Sequence, residues 1–110
     1  MISGCATLYE KPDPVVGQWE FELPGTPQGD LEGTLTIHKE DGVYSGFLTY
    51  SGTESDLNDL TIEGNHLVSG NYDYQGYLIE LTAVFEGEAV TGEHSAEGGM
   101  ALNFEGVRVE

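Results

Sequence analysis

The chain is poor in cysteine, in basic residues and in long apolar segments, with one cysteine and three lysines or arginines among 110 residues. One cysteine excludes an internal disulfide framework, and the lack of any apolar run of about 18 residues excludes a membrane-spanning helix. Twenty acidic residues give a formal net charge of -17, which repels the phosphates of nucleic acids and anionic lipid surfaces. We therefore expect no nucleic-acid partner and no docking of the domain onto a membrane surface.

The acidic residues are spread along the whole chain and do not form one block. Three explanations of the charge stay open, namely a salt-adapted proteome, a basic protein partner and mimicry of nucleic acid. The even spread favours an ordinary solvated surface over a charge-driven partner. Hydrophobic residues make up 38% of the chain in short, evenly spaced runs, which is enough for one domain with one core.

Alternating apolar and polar residues predict β-strands along the chain, and no long segment has helical periodicity. The dipeptide Asp41-Gly42 predicts a two-residue hairpin turn with positive φ at both positions. That turn places Leu35 opposite Leu48, so the two share the inner face. Strands are predicted at residues 18–23, 31–38, 43–50, 56–62, 66–74, 77–85, 89–94 and 100–109. The predicted fold is all-β, an eight-stranded antiparallel up-and-down barrel.

The strand at residues 66–74 has two conflicting registers. A two-residue turn at Gly64-Asn65 would turn its polar residues inward, whereas a two-residue turn at Gln75-Gly76 would turn its tyrosines inward. We expect a three-residue first loop, with Val68, Gly70 and Tyr72 inward, because this arrangement buries more apolar surface.

Glycines recur inside the predicted strands, where each one costs stability. Sharp coiling at the corners of a barrel gives a reason for them. They are Gly33, Gly46, Gly70, Gly92 and Gly106.

The N-terminal residues Ile2-Ser3-Gly4-Cys5 resemble the lipobox of bacterial lipoproteins, in which the cysteine becomes the lipidated first residue of the mature protein. The resemblance implies a lipid anchor at Cys5 and a place in the bacterial cell envelope, periplasmic or outer-membrane. The alternative is an incidental thiol in a cytoplasmic protein. Residues 1–15, with Pro12 and Pro14, are predicted to be a tether, and residues 16–110 the barrel.

Gly17-Gln18-Trp19 in the first strand, with Arg108 in the last, resembles the signature of the calycin superfamily, which contains the lipocalins, fatty-acid-binding proteins and avidins. In that superfamily a basic side chain lies over the tryptophan and closes one end of the barrel, an arrangement that cation–π attraction stabilises. The resemblance implies a lipocalin-like meander closed by Trp19 and Arg108. In its short length the chain is similar to the compact lipocalin-like lipoproteins of Gram-negative bacteria.

Nine inward-facing side chains are candidates for contact with a small ligand in the lumen. Rings that carry hydroxyl groups suit an amphipathic ligand, but such side chains also fill small barrels, and both possibilities stay open. The candidates are Trp19, Phe21, Leu35, Tyr44, Leu48, Tyr50, Tyr72, Leu81 and Phe104.

The histidines do not predict a metal site. His38 and His66 belong to one rim of the predicted barrel and His94 to the other, so three ligands cannot converge, and we expect solvated loop histidines. No cofactor is expected. The carboxylates are too numerous to single out a catalytic pair, alternation turns Glu80 outward, and no ionisable group is predicted inside the lumen.

Together these features predict a non-catalytic barrel that binds a small apolar or aromatic molecule at the bacterial envelope. A second hypothesis is a protein-interaction or inhibitor module with a filled barrel, for which the outward Val43 and Phe47 offer apolar contacts. A third is a small barrel cyclase or isomerase, which would need an ionisable group inside the lumen.

Overall fold

A computed structural model of the protein describes residues 13–26, 29–50, 52–74, 76–96, 99 and 101–109. These residues form nine antiparallel β-strands and contain no helix long and apolar enough to cross a membrane. The strands are β1 (Gly17–Thr26), β2 (Gly29–Glu40), β3 (Val43–Tyr50), β4 (Thr53–Asp56), β5 (Asn58–Glu63), β6 (His66–Tyr74), β7 (Tyr77–Glu86), β8 (Ala89–Ala96) and β9 (Ala101–Arg108).

The strands surround one core as a nearly closed barrel, in the order β4-β3-β2-β1-β9-β8-β7-β6-β5. The predicted all-β antiparallel barrel is confirmed, but the described residues form nine strands and not eight. The predicted strand at residues 56–62 divides at Leu57, so that β4 pairs with β3 and β5 pairs with β6. Leu57 is buried and its amide donates to the carbonyl of Gly46 on β3. One bent stretch of chain therefore contains both edge strands of the sheet, β4 and β5.

The hairpin turn at Asp41-Gly42 has positive φ at both residues, 52° and 80°, as a two-residue primed turn requires. The predicted register across it is present, because Leu35 pairs with Leu48 and Gly33 pairs with Tyr50. This hairpin therefore follows directly from its turn residues.

The register of β6 differs from the expected one. Both two-residue turns form, since Ile62 pairs with Leu67 on one side and Tyr72 pairs with Ile79 on the other. A bulge between Leu67 and Asn71 absorbs the difference between the two registers. The expected three-residue loop is therefore wrong.

The bulge also changes which side chains of β6 face the core. Leu67 is buried and Val68 is 46% exposed, so the expected inward orientation of Val68 is wrong. Gly70 and Tyr72 are buried, as expected. An extra residue shifts the alternation of a strand by one position, which allows apolar side chains at both ends of β6 to reach the core.

Glycines inside the strands leave room for large rings in the lumen. Phe21 pairs with Gly33 on one side and Gly106 on the other, and a Cβ atom at either glycine would lie 2.9 Å from the Phe21 side chain. Gly92 pairs with Phe104, and a Cβ atom there would lie 2.7 Å from the ring. The close approach of rings and backbone accounts for these glycines.

One end of the barrel is covered by Trp19 and Arg108, which pair directly across β1 and β9. The guanidinium lies 4.3 Å from the indole centroid, and the fully buried Trp19 donates from Nε1 to the carbonyl of Val15 at 3.1 Å. Arg108 also donates to the carbonyls of Val16 and Pro14, so the segment before β1 lies across this end. We call this region of Val15, Trp19 and Arg108 the closed end.

We expect Gly92→Ala to destabilise the barrel by about 3 kcal/mol, at the upper end of the usual cost of overpacking. A Cβ atom at residue 92 would lie 2.1 Å from the carbonyl oxygen of Thr82, and backbone cannot move aside as a flexible side chain can. Gly70→Ala is the matched control, because the nearest atom there is Cδ1 of Leu60 at 3.3 Å. Urea unfolding followed by Trp19 fluorescence measures both variants, and equal losses would contradict the close-approach argument.

We expect Arg108→Ala to lower the free energy of unfolding by about 2–4 kcal/mol, because it removes a cation–π contact and leaves carbonyls without a donor. Lys39→Ala removes the same charge and a second cation–π contact, since Lys39 lies 4.9 Å from the Tyr44 ring centroid. The Lys39 side chain is 42% exposed, so that loss should stay below about 1 kcal/mol. If urea unfolding gave similar losses of stability for Arg108→Ala and Lys39→Ala, a special role for Arg108 in closing the barrel would be excluded.

Candidate functional site

Eight of the nine lumen candidates are buried, and none of these eight is more than 4% exposed. Side chains therefore fill the central part of the lumen, as is common in barrels of this width. The eight are Trp19, Phe21, Leu35, Leu48, Tyr50, Tyr72, Leu81 and Phe104.

Tyr44, the ninth candidate, is only partly buried and lies near the closed end. Its hydroxyl donates to Oδ2 of Asp13 at 2.5 Å, and that hydrogen bond is the main cause that raises the pKa of Tyr44 to about 12. Asp13 also accepts from the backbone amides of Val15 and Val16. Tyr44 therefore helps to hold the segment before β1 and contacts none of the rings described next.

His94 lies inside the lumen, so the expectation of a solvated loop histidine there is wrong. Its side chain is 4% exposed, its ring stacks on Phe21 at 5.5 Å, and it meets Phe104 at 4.7 Å. The turn at Gly87-Glu88 pairs His94 with the buried Leu81, and paired residues share a face. An ionisable side chain is thus present in the lumen, contrary to the prediction.

His94 belongs to a hydrogen-bonded cluster with two tyrosines, which we call the His94 cluster. The Tyr72 hydroxyl lies 2.8 Å from Nδ1 of His94 and 2.9 Å from the Tyr50 hydroxyl. The Tyr50 hydroxyl lies 3.5 Å from the same nitrogen. Nε2 of His94 is buried and has no hydrogen-bond partner among the described residues.

The His94 cluster is uncharged at neutral pH. Burial lowers the pKa of His94 to about 4. Burial also raises the pKa of Tyr72 to about 12, although the hydrogen bond with Tyr50 acts in the opposite direction. Burial also raises the pKa of Tyr50, with Tyr72 as a further cause. The three groups therefore offer hydrogen bonds and not charge to anything that contacts them.

The barrel end opposite the closed end carries a ring of half-buried apolar side chains, which we call the mouth. Each of them faces inward from a strand terminus at this end and packs against the core. Leu102 pairs directly with His94 across β9 and β8, so the mouth adjoins the His94 cluster. The mouth residues are Leu31, Tyr74, Ile79 and Leu102.

The outer wall is acidic and carries no metal site among the described residues. Glu22 lies directly opposite Glu32 on one side and Glu105 on the other, so three like charges face each other across adjacent strands. His38 and His66 are exposed and lie at the opposite end of the barrel from the mouth. Within the described part of the chain, these histidines and carboxylates do not converge.

No known protein family has a model that matches the chain, and no curated protein resembles it in sequence. The calycin resemblance therefore rests on Gly17, Trp19 and Arg108 together with the barrel. Cys5 lies outside the described residues, so the lipid anchor and the envelope location stay predictions.

We expect His94 to make the protein less stable as the pH falls from about 6.5 to about 4. Its pKa is about 4 in the folded protein and has its ordinary value of 6.5 in the unfolded chain. Between these values the unfolded chain binds more protons, so the free energy of unfolding falls by at most about 1.4 kcal/mol per pH unit. The stabilisation that depends on neutral His94 is fully present above about pH 6.5, and His94 causes no further loss of stability below about pH 4.

Urea unfolding of the wild type and His94→Gln across this window measures the effect, because the shared carboxylates cancel in the comparison. The stability difference between the two proteins should shrink as the pH falls. His38→Gln, at an exposed histidine, is the control and should keep a constant difference. A constant difference for His94→Gln as well would show that His94 is not buried in its neutral form.

Proposed function

We propose that this protein is a non-catalytic, lipocalin-like barrel that binds a small apolar or aromatic molecule through the mouth. The observation that carries the proposal is the buried Nε2 of His94, which lies within a cluster of rings and has no hydrogen-bond partner among the residues that the structure describes. A buried polar atom without a partner costs stability, and a bound molecule would remove that cost.

The difference between the two ends of the barrel supports entry at the mouth. At the closed end, Trp19 is fully buried and Arg108 holds the preceding segment in place. At the mouth, the apolar side chains are only half-buried, so a ligand that covers them would gain hydrophobic stabilisation. An apolar rim above a few convergent polar groups is typical of small-molecule sites.

A filled barrel that acts as a protein-interaction module is the second candidate. The complete burial of Leu35, Leu48 and Leu81 favours it, because these side chains already occupy the centre of the lumen. The two candidates differ in where a small apolar probe binds. Binding at the mouth supports the first, and the absence of binding supports the second.

We expect toluene to shift the amide NMR signals of Leu31, Ile79 and Leu102 and to leave those of Trp19 and Arg108 unchanged. Leu102→Asn should weaken toluene binding about tenfold, because it replaces apolar contact at the mouth with a polar group. Chemical-shift titration measures both effects.

Ile62→Asn is the matched control, since Ile62 is also an inward, half-buried side chain but lies near the other end of the barrel. It should leave the affinity for toluene unchanged. No shifts at the mouth, or equal weakening by both variants, would contradict the proposal.

A further inference from the structure

The free nitrogen of His94 points to the chemical class of the ligand, an inference that rests on the binding function proposed above. We infer that the ligand is a neutral, mostly apolar molecule with one hydrogen-bond acceptor, such as an aryl ketone. Its oxygen accepts the hydrogen of His94 Nε2, and Leu102 moves aside to admit it.

The hydrogen bonds at the other ring nitrogen locate the ring proton. The hydroxyls of Tyr72 and Tyr50 both converge on Nδ1, at 2.8 Å and 3.5 Å. A phenol O–H is a stronger hydrogen-bond donor than an imidazole N–H, and an imidazole lone pair is a stronger acceptor than a phenol oxygen, so we take Tyr72 as the donor to Nδ1. On this assignment a neutral ring carries its proton on Nε2. The lowered pKa of His94 keeps the ring neutral at physiological pH. Nε2 is therefore a donor without an acceptor among the described residues.

The side chains packed against the His94 ring apart from the two tyrosines are apolar, which favours a ligand with one polar group. The ring of His94 stacks on Phe21 and meets the Phe104 ring, while Leu81 is its partner on the neighbouring strand. None of these three side chains can form a conventional hydrogen bond. A second polar group on the ligand would lose its hydration without compensation, which costs affinity.

The charges of the molecule require a neutral ligand. The net charge of -17 repels an anion, and the sole arginine lies at the closed end, where Trp19 and backbone carbonyls already contact it. A cation would need a carboxylate partner, but the side chains in contact with His94 are aromatic or apolar, namely Phe21, Phe104, Tyr50, Tyr72 and Leu81. An unpaired charge in such surroundings is strongly unfavourable.

Leu102 is the mouth residue that lies next to His94 in the sheet. It pairs with His94 on the adjacent strand, shares its face and is half-buried, whereas His94 is 4% exposed. We infer that movement of this one rim side chain opens the way for a ligand to the imidazole.

Three probes of similar size test the inference on the wild-type protein: acetophenone, α-methylstyrene and benzoate. Acetophenone and α-methylstyrene share a shape, but only the ketone accepts a hydrogen bond, and benzoate adds a charge. We expect acetophenone to bind about tenfold more tightly than α-methylstyrene, which corresponds to one net hydrogen bond, and benzoate not to bind. The Nε2 hydrogen signal of His94 should shift with acetophenone alone.

A His94→Phe variant should bind acetophenone and α-methylstyrene equally. If that variant does not fold, a shift of the Nε2 hydrogen signal in the wild type on addition of acetophenone still tests whether the ketone binds at His94. Equal binding of the two neutral probes by the wild type would overturn the inference while the proposed binding function stands. Tightest binding of benzoate would overturn the requirement for a neutral ligand. Failure of all three probes to bind would overturn both proposals.

Discussion

Space inside the barrel is the constraint on which the rest of the structure depends. A barrel of this width has room for side chains and little else, and the protein accommodates large rings by placing glycines beside them. Phe21 has a glycine partner on both neighbouring strands, and Phe104 has Gly92. A slip of one residue in either register would bring these rings against a Cβ atom and turn the apolar side chains outward. The glycines thus help to fix the register, and the register fixes where each inward polar group lies.

The two ends of the barrel differ in the charge of their polar groups. At the closed end, the guanidinium of Arg108 lies on an indole face, two of its nitrogens donate to backbone carbonyls and Nε pairs with the carboxylate of Glu88 at 3.1 Å, so the charged group is fully engaged. Near the mouth, the buried polar groups are neutral and share hydrogen bonds with one another. A neutral cluster costs less to bury than a charge. An N–H group in such a cluster that has no acceptor remains available to donate a hydrogen bond. This difference accounts for the sealing of one end, and it leaves the other end with the hydrogen-bonding group on which the proposed binding function depends.

The fold was predictable from the sequence wherever a turn fixed a register. Asp41-Gly42 determined the pairing of β2 with β3, and the same reasoning at Gly87-Glu88 would have placed His94 opposite Leu81 and therefore inside. The position of His94 near a strand end predicts a solvated side chain, and only the register places it inside. The bend at Leu57 has no comparable signal, because no turn dipeptide marks it and its amide bonds to the carbonyl of Gly46 on β3. The bulge in β6 resolved a conflict that local patterns alone left open.

Packing alone does not account for a histidine at position 94. A leucine or phenylalanine there would fill the space beside Phe21 and Phe104 without any polar atom to satisfy. Tyr50 and Tyr72 satisfy Nδ1, but Nε2 has no partner among the described residues, and a buried polar atom without one costs about 1–3 kcal/mol, a large fraction of the 5–15 kcal/mol that typically stabilises a domain. With Tyr72 as the donor to Nδ1, the ring hydrogen lies on Nε2, which has no partner within the described part of the chain. A buried, oriented donor among aromatic rings is costly without an acceptor and favourable with one, and this difference in free energy is what the proposed ligand would gain.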